Sequence, residues 1–351
     1  MNVLVTGATG FVGGRLVPAL LAAGHDVTAL VRDASRYDAP NGVRVVEGDL
    51  LDPGSLDDAL DVDAAYYLVH SMRAGSDFEE RDRRAAENFA RAASEHEVDR
   101  VVYLGGLGED RDRLSEHLRS RREVERILGT GEYALTTLRA AILIGDGSAS
   151  FEMIEQLSSR LPVMVTPRWV ETKCQPIFVD DAVEYLVGVL DVPETAGETY
   201  EIGGPDVLTY REILVRVGEH RGRAPRIVPV PILSPKLSSL WIGLVTDIPA
   251  SVARPLIEGL KNPVVVRDHR IESLVEVDLT PFDEAVSQAR SDDVATDGGG
   301  GRVGGARGGP VDDGDARNPT ARGGGAASTD VGDSADTAGN VRLTGTGSLD
   351  R

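Results

Sequence analysis

The chain has 351 residues, of which 41% are hydrophobic and only 5% aromatic, so it can bury an aliphatic core in one large or two modest domains. Its 57 acidic residues against 37 basic ones give a net charge of −20, which repels phosphate backbones and excludes a general nucleic-acid-binding protein. Cys174 is the only cysteine, which excludes a disulfide framework and a cysteine-based zinc or iron–sulfur site.

Strand and helix patterns alternate along the first 140 residues. Short apolar runs predict buried strands, and apolar residues at helical spacing predict the helices between them. In chain order we predict a strand at 3–5, a helix at 10–23, strands at 27–31 and 43–46, a short helix at 53–60, a strand at 64–69, a helix at 77–95, a strand at 100–104, a helix at 113–128 and a strand at 134–138. This order predicts the α/β class, a doubly wound parallel Rossmann sheet covered on both faces.

The regular alternation ends after residue 145. Residues 146–290 are predicted to form a smaller C-terminal lobe, with helices at 150–160, 210–221 and 251–260 and with a segment at about 175–203 packing back on the Rossmann domain at 1–145. Residues 291–351 contain no aromatic residue and are mostly Gly, Ala, Asp, Thr and Arg. Because such a composition cannot offset the entropy of ordering, we predict a disordered Gly/Asp-rich tail.

A glycine motif follows the first strand and opens the first helix. The segment at 6–13 fits G-x-x-G-x-x-G. Gly7 permits a tight turn, Gly10 lets the backbone approach a pyrophosphate, and Gly13 lets the helix pack on the strand. The free N–H groups of a helix N-terminus favour phosphate. The motif predicts a phosphate-binding site for a dinucleotide, against the alternative of a tight turn without ligand, and its residues are Thr6, Gly7, Thr9, Gly10, Phe11, Val12 and Gly13.

This glycine spacing and the strand ends that follow it resemble the short-chain dehydrogenase/reductase superfamily. The other segments that carry the resemblance are 30–33, 47–50, 66–72, 101–106, 138–140 and 145–153. Over residues 1 to 285 the sequence is similar to the atypical, NmrA-like branch, related to NAD(P)-binding epimerases and dehydratases and to the nucleotide-binding accessory subunit of respiratory complex I. The resemblance implies an NAD(P)(H) cofactor.

Several residues are expected around that cofactor. An arginine at the end of the second strand is typical of an NADP site and a carboxylate there of an NAD site, so Arg32, with Arg36 after it, favours NADP(H) over NAD(H), although Asp33 adjoins it. The resemblance implies that Asp49 bonds the adenine and Leu50 packs on it. It also implies that Leu68, Val69 and His70 line the ribose and pyrophosphate. The alternatives are a solvated Arg32, a turn carboxylate at Asp49 and a packed His70.

The catalytic residues of the superfamily are not all present. Its active members use Tyr-x-x-x-Lys with a nearby Ser, and alignment places His117 at the tyrosine position and Arg121 at the lysine position. The strand that usually ends in two serines ends in Gly105 and Gly106. His117 is a candidate general acid because imidazole titrates near neutrality, and Arg121 is a candidate ribose contact. The alternative is that both lie on a polar helix surface. The scattered histidines predict no metal site.

Two functions therefore remain open. The first is an NAD(P)(H)-dependent oxidoreductase that transfers hydride to or from an unknown small organic substrate. The second is a non-catalytic NADP(H)-binding protein, a redox sensor or an accessory subunit of an electron-transfer complex resembling NADH dehydrogenase. Association with a respiratory complex and homodimerisation through the helices at 77–95 and 113–128 are open.

Composition also indicates where the protein works. The chain shows neither a signal segment nor a stretch of ~18–20 apolar residues, which predicts a cytoplasmic protein. Only Lys173, Lys236 and Lys261 are lysines, and an acidic, arginine-rich chain is typical of a halophilic archaeon. The alternative explanation for the arginines is a GC-rich genome.

Overall fold

A seven-stranded β-sheet is the centre of the protein in a computed structural model, which describes residues 1–70, 78–108, 116–230 and 260–298. The strands of the described residues are β1 (Asn2–Thr6), β2 (Asp26–Val31), β3 (Arg44–Glu47), β4 (Ala64–Tyr67), β5 (Arg100–Gly106), β6 (Ala134–Ala140), β7 (Leu143–Ile144), β8 (Val163–Pro167), β9 (Lys173–Cys174), β10 (Ile177–Phe178), β11 (Thr199–Ile202), β12 (Leu208–Thr209) and β13 (Arg226–Val230). The α-helices of these residues are α1 (Gly13–Ala22), α2 (Phe78–Glu95), α3 (Glu116–Leu128), α4 (Ala149–Arg160), α5 (Val179–Asp191), α6 (Tyr210–His220) and α7 (Phe282–Gly298).

The order of the strands creates a crevice beside β1. The central sheet runs β3-β2-β1-β4-β5-β6-β11, and each neighbouring pair is parallel. The chain moves outward from β1 to β3 and then returns to the other side of β1 with β4. Ligands of open parallel sheets bind at such a switch point, outside the carboxyl ends of the strands. The predicted doubly wound Rossmann fold is confirmed.

Burial on both faces explains why the strands are apolar without alternation. Val3 and Val5 point into a core shared with α1 and α5, whereas Leu4 points into a second core with Phe89 of α2 and Val124 of α3. Aromatic residues supply some of the largest fully buried side chains, which are Tyr66, Tyr67, Tyr103, Tyr185 and Phe89 in these two cores and Phe151 in the C-terminal half. The core therefore depends on aromatic residues more than the aliphatic composition indicates.

The C-terminal half adds a third core, and part of it returns to the sheet. In this core α4 packs against α6, and the small pairs β7–β10, β8–β13 and β9–β12 surround them. The strand β11 pairs with β6 at the edge of the central sheet, and α5 packs on α1. None of the described helices combines the length and apolar character needed to cross a membrane.

Some elements differ from their predicted form or bounds, and a side-chain hydrogen bond explains the first difference. The segment predicted as a helix at 53–60 forms two 3₁₀ turns, because Ser55 Oγ bonds the carbonyls of Asp49 and Asp52 and holds a turn instead. The strand predicted to 69 ends at Tyr67, and α7 runs to residue 298. Residues 251–259 of the helix predicted at 251–260 lie outside the described residues, as does the tail beyond 298.

Candidate cofactor-binding site

The loop between β1 and α1 is packed as tightly as backbone contacts allow. Gly7 has a φ of +73°, and a Cβ there would lie 2.9 Å from the carbonyl oxygen of Leu68. A Cβ on Gly13 would collide with the carbonyl of Gly7 and lie 2.8 Å from Ala8 Cα. Glycine is therefore required at both positions, and the loop holds one conformation against the end of β4.

The outer side of the same loop is open. Gly10 is exposed, and among the described residues the one atom close to a Cβ placed there is the carbonyl oxygen of Gly7 at 3.1 Å. Within the described residues, the N–H groups of Thr9, Phe11 and Val12 donate to no protein acceptor, and Val12 caps α1 without a side-chain hydrogen bond. Free N–H groups at the positive end of a helix are suited to phosphate.

Thr6 and Phe11 support this loop from inside. Thr6 is fully buried, and its hydroxyl donates to the carbonyl of Tyr66 at 2.9 Å while it accepts from the N–H of Leu68 at 3.3 Å. The Thr6 side chain therefore fastens β1 to the end of β4 rather than facing the crevice. The ring of Phe11 lies beside the loop before α4, because a Cβ on Gly145 would approach it to 3.1 Å.

Two exposed arginines follow β2, together with one carboxylate that is already hydrogen-bonded. Asp33 Oδ1 accepts from the N–H of Ser35 at 3.1 Å and from its hydroxyl at 2.6 Å, capping a short 3₁₀ turn. Arg32 and Arg36 are exposed, and no carboxylate among the described residues pairs with either guanidinium. The cations at this strand end are available to an anion, whereas one oxygen of Asp33 already serves the turn.

The residues after β3 and β4 complete the edge of the crevice. Asp49 Oδ1 accepts from the N–H of Leu51 at 2.9 Å, so this half-buried carboxylate holds a turn. The side chain of Leu50 is 5% exposed and belongs to the core, which leaves little of it to contact a ligand. Leu68 and Val69 are partly exposed and His70 is exposed at the end of β4, beside the glycine loop.

The end of β5 packs closely against neighbouring side chains at the two positions where serines are usual. A Cβ on Gly106 would lie 2.8 Å from Leu118 Cδ2 of α3, and one on Gly105 would lie 3.1 Å from the ring of Tyr103. The Tyr103 hydroxyl donates to the carbonyl of Arg121 at 3.2 Å, and burial raises the pKa of this tyrosine. Tyr103 is therefore a core residue that also fixes α3 to the sheet.

The structure brings some of the predicted residues together and leaves others apart. The glycine loop, Arg32 and Leu68 follow neighbouring parallel strands and therefore lie at one edge of the sheet. His117 and Arg121 lie four residues apart on α3, but the His117 side chain is outside the described residues. No cluster of three or more metal-ligating side chains occurs in the described parts of the chain.

The sequence analysis did not predict a buried network of charged side chains formed by Arg122, Glu125 and Arg139. Glu125 of α3 accepts from Arg122 Nη1 at 3.1 Å and from Arg139 Nε of β6 at 3.2 Å, and it also pairs with Arg139 Nη2. Arg122 Nη2 in turn bonds the carbonyl of Gly108, just after β5. The three-residue spacing of Arg122 and Glu125 places both on one helix face, and this spacing was the feature of the sequence that could have indicated their ion pair.

Comparisons with known proteins agree with this geometry. Residues 7–159 match the model of a family described as NAD(P)H-binding. The chain is 26% identical over 299 residues to the mitochondrial NADH dehydrogenase (ubiquinone) 1 alpha subcomplex subunit 9 of Arabidopsis thaliana, covering 79% of this chain and 73% of that protein. It is 28% identical over 238 residues to a ceramide reductase of Caulobacter vibrioides, covering 65% of this chain and 73% of the relative.

A solved structure shows the same fold. The Citrobacter sp. triphenylmethane reductase complexed with NADP(H) matches with a TM-score of 0.67 and 22% identity, over 82% of this chain and 100% of that one. The matches to two further relatives, NADH dehydrogenase subunits of Dictyostelium discoideum and Neurospora crassa, span 61% and 64% of those proteins' own length, which is less than two thirds. Residues 7–159 therefore form an NAD(P)H-binding domain, and the chain is similar over most of its length to an NADH dehydrogenase subunit and shares its fold with an NADP(H)-binding reductase.

Proposed function

We propose that the protein is an NAD(P)(H)-dependent oxidoreductase that transfers hydride to or from a small organic substrate. The observation that carries the proposal is the open glycine loop, whose free N–H groups at Thr9, Phe11 and Val12 lie at the switch point of the sheet. The cradle fits a dinucleotide because Gly10 leaves its outer side clear of side chains. When bound, the nicotinamide supplies the hydride chemistry.

The end of β2 supports a preference for NADP(H) over NAD(H). A 2′-phosphate is best recognised by a guanidinium, and Arg32 and Arg36 are both exposed at this strand end. The competing carboxylate, Asp33, already accepts two hydrogen bonds from Ser35. Arg32 is therefore the proposed 2′-phosphate contact, and Asp49 and Leu50 border the adenine.

The remaining proposed roles are to orient the cofactor and to hold a proton at the substrate oxygen. Leu68, Val69 and His70 line the crevice beside the glycine loop, and Arg121 holds the cofactor ribose from α3. His117, one turn before Arg121, is the proposed group that holds a proton at the substrate oxygen. Because the Tyr-x-x-x-Lys pair is absent, most of the acceleration must come from holding the reactants in position.

A second function is favoured by the end of β5. Gly105 and Gly106 offer no hydroxyl at the strand end where active members of the superfamily place serines. In this alternative, bound NADP(H) is a structural ligand or redox signal in a non-catalytic protein. The similarity to NADH dehydrogenase subunits supports association with a respiratory complex as part of that alternative. Cytoplasmic location, homodimerisation and a separate lobe at 146–290 remain proposals, whereas residues 291–298, which were predicted as tail, belong to α7.

Titration of NADPH and NADH separately against the purified chain tests the main proposal. The buffer contains molar KCl because the acidic, arginine-rich composition is typical of salt-adapted proteins. Calorimetry should show tighter binding of NADPH, and Arg32→Ala should weaken NADPH about 10- to 100-fold while leaving NADH within about threefold. Arg91→Ala is the matched control, since Arg91 is exposed on α2.

Each other outcome has a defined meaning. Binding of NADH alone would contradict the Arg32 assignment and move the 2′-position contact to Asp33. Binding of neither nucleotide to the folded protein would contradict the proposed function. A panel of carbonyl and alkene compounds, followed by nicotinamide absorbance, then separates the two functions, because only the oxidoreductase turns the cofactor over.

A further inference from the structure

The network of Arg122, Glu125 and Arg139 joins three elements at the carboxyl end of β5. Glu125 receives both guanidinium groups, and Arg122 holds the carbonyl of Gly108. The side chains are largely buried, with exposures of 7% for Arg122, 13% for Glu125 and 21% for Arg139. One carboxylate therefore restrains two guanidinium groups where little water reaches them. Removing one partner of such a buried pair is strongly destabilising, because it leaves the other charge unpaired.

The position of the network relates it to one half of the cofactor. A dinucleotide with its 2′-phosphate at Arg32 and its diphosphate at the glycine loop crosses from β2 over β1. Its nicotinamide half then extends over β4 and β5, because β4 and β5 follow β1 on the other side of the switch point. The backbone at 107–108 leaves β5 at this end of the sheet and bonds Ala140 and Arg122, so it would border that half.

The same place is where the serine side chain is missing. Gly105 and Gly106 leave the strand end without a hydroxyl, and Arg139 Cγ lies 3.8 Å from the position of a Cβ on Gly105. The N–H of Leu107 is held by the carbonyl of Ala140, and Arg122, itself paired with Glu125, adds the restraint at Gly108. We propose that Glu125 is a positioning residue that, through Arg122 and Arg139, fixes the backbone at 107–108 against the nicotinamide half of the cofactor. This inference rests on the proposed dinucleotide binding.

Paired titrations of a whole and a half cofactor test the inference. NADPH and 2′,5′-ADP are titrated separately against the wild-type chain, Glu125→Gln, Arg139→Lys and the control Glu132→Gln, whose carboxylate is exposed. NADH and ADP replace them if the wild-type chain prefers NADH. Glu125→Gln should weaken dinucleotide binding about tenfold or more and leave the adenosine fragment within about threefold. Arg139→Lys, which keeps the charge and loses the fork, should lie between wild type and Glu125→Gln.

A spectroscopic reading adds a signal that general destabilisation does not produce. The fluorescence of bound NADPH should shift toward that of free NADPH in Glu125→Gln and stay unchanged in Glu132→Gln. Equal loss of both ligands, or no loss of either, would overturn the inference, and Arg139→Lys carries the test if Glu125→Gln does not fold. A wild-type chain that binds neither ligand contradicts the proposed function itself, whereas a variant with unchanged dinucleotide affinity contradicts only the role of Glu125.

Discussion

Arg15 Nη2 donates a hydrogen bond to the carbonyl oxygen of Asp146 at 3.1 Å, across 131 residues of chain. The same guanidinium donates to the carbonyl of Phe11 at 3.1 Å and lies 4.8 Å from the centroid of the Phe11 ring. Its Nε is 3.7 Å from Asp180 Oδ1 in the first turn of α5. One side chain therefore ties the glycine loop to two segments of the C-terminal half.

Replacement of Arg15 should destabilise the protein. Arg15→Met removes two charge-assisted hydrogen bonds to carbonyls, which we expect to lower the free energy of unfolding by about 1–3 kcal/mol. Urea unfolding at constant KCl measures the change, and Arg84→Met, at an exposed position on α2, is the control. A change equal to that of the control would show that Arg15 does not hold the loop.

Gly10 of the loop and Gly14 of the first turn of α1 should respond differently to replacement by alanine. A Cβ on Gly10 lies 3.1 Å from the carbonyl of Gly7 on the open side of the loop, so Gly10→Ala should weaken dinucleotide binding about tenfold or more. A Cβ on Gly14 is 3.9 Å from its nearest neighbour, so Gly14→Ala should preserve binding and stabilise α1 by about 1 kcal/mol. Calorimetry and thermal unfolding of both variants measure these effects. Equal affinities in the two variants would contradict phosphate binding at Gly10.

The sequence was most informative where neighbours in the chain determine the structure. The glycine spacing predicts the tight loop because Gly7 and Gly13 make their contacts within it or with the adjacent strand. The role of Asp33 was open because Arg32 adjoins it, and only the turn geometry shows that Ser35 takes one of its oxygens. Sequence patterns carry no such information about side-chain direction.

Contacts between distant segments could not be predicted from one sequence. Glu125 meets Arg139 because α3 packs on β5, the neighbour of β6, and the placement of a helix on a sheet is set by packing rather than by local pattern. The clash between a Cβ on Gly106 and Leu118 has the same origin. The missing serines were evident from the sequence, but the close packing of Leu118 and Tyr103 against these glycines was not.

A buried arginine at the start of β5 should make Thr195 important for stability. Arg100 is 7% exposed, its Nη2 bonds Thr136 Oγ1 at 3.0 Å and also bonds Thr195 Oγ1, and burial lowers its pKa. In the described residues no carboxylate pairs with it. Thr195→Val removes an acceptor from a buried cation, so we expect a loss of about 2–3 kcal/mol in unfolding free energy.

A double-mutant cycle isolates that interaction. Arg100→Met removes the cation, so adding Thr195→Val to it should destabilise the protein less than Thr195→Val does in the wild-type chain. Thr130→Val, at an exposed threonine, should change the unfolding free energy by less than about 0.5 kcal/mol. Strictly additive effects of Arg100→Met and Thr195→Val would contradict the contribution assigned to the hydrogen bond.

Cys174 should report opening of the C-terminal core. The side chain is fully buried, and burial raises the pKa of its thiol to about 12. Since the thiolate is the nucleophile, this shift alone lowers the reactive fraction at pH 8 about 10³-fold relative to an unfolded chain with a pKa near 8.5. As Cys174 is the only cysteine, alkylation of the whole chain reads this one site.

The pH dependence distinguishes two routes of labelling. A thiol that reacts only after local opening has the ordinary pKa in the open form, so its rate should rise with pH and level off above about 8.5. A reagent that enters the folded core would instead give a rate that rises tenfold per pH unit toward 12. We expect the first profile, with acceleration by urea below the unfolding midpoint. Cys174 lies on β9, which pairs with β12, and its thiol contacts the Tyr210 hydroxyl, so a reagent reaches it only when these contacts open. Rapid labelling at pH 8 without urea, at a rate near that of the unfolded chain, would show that this core is open.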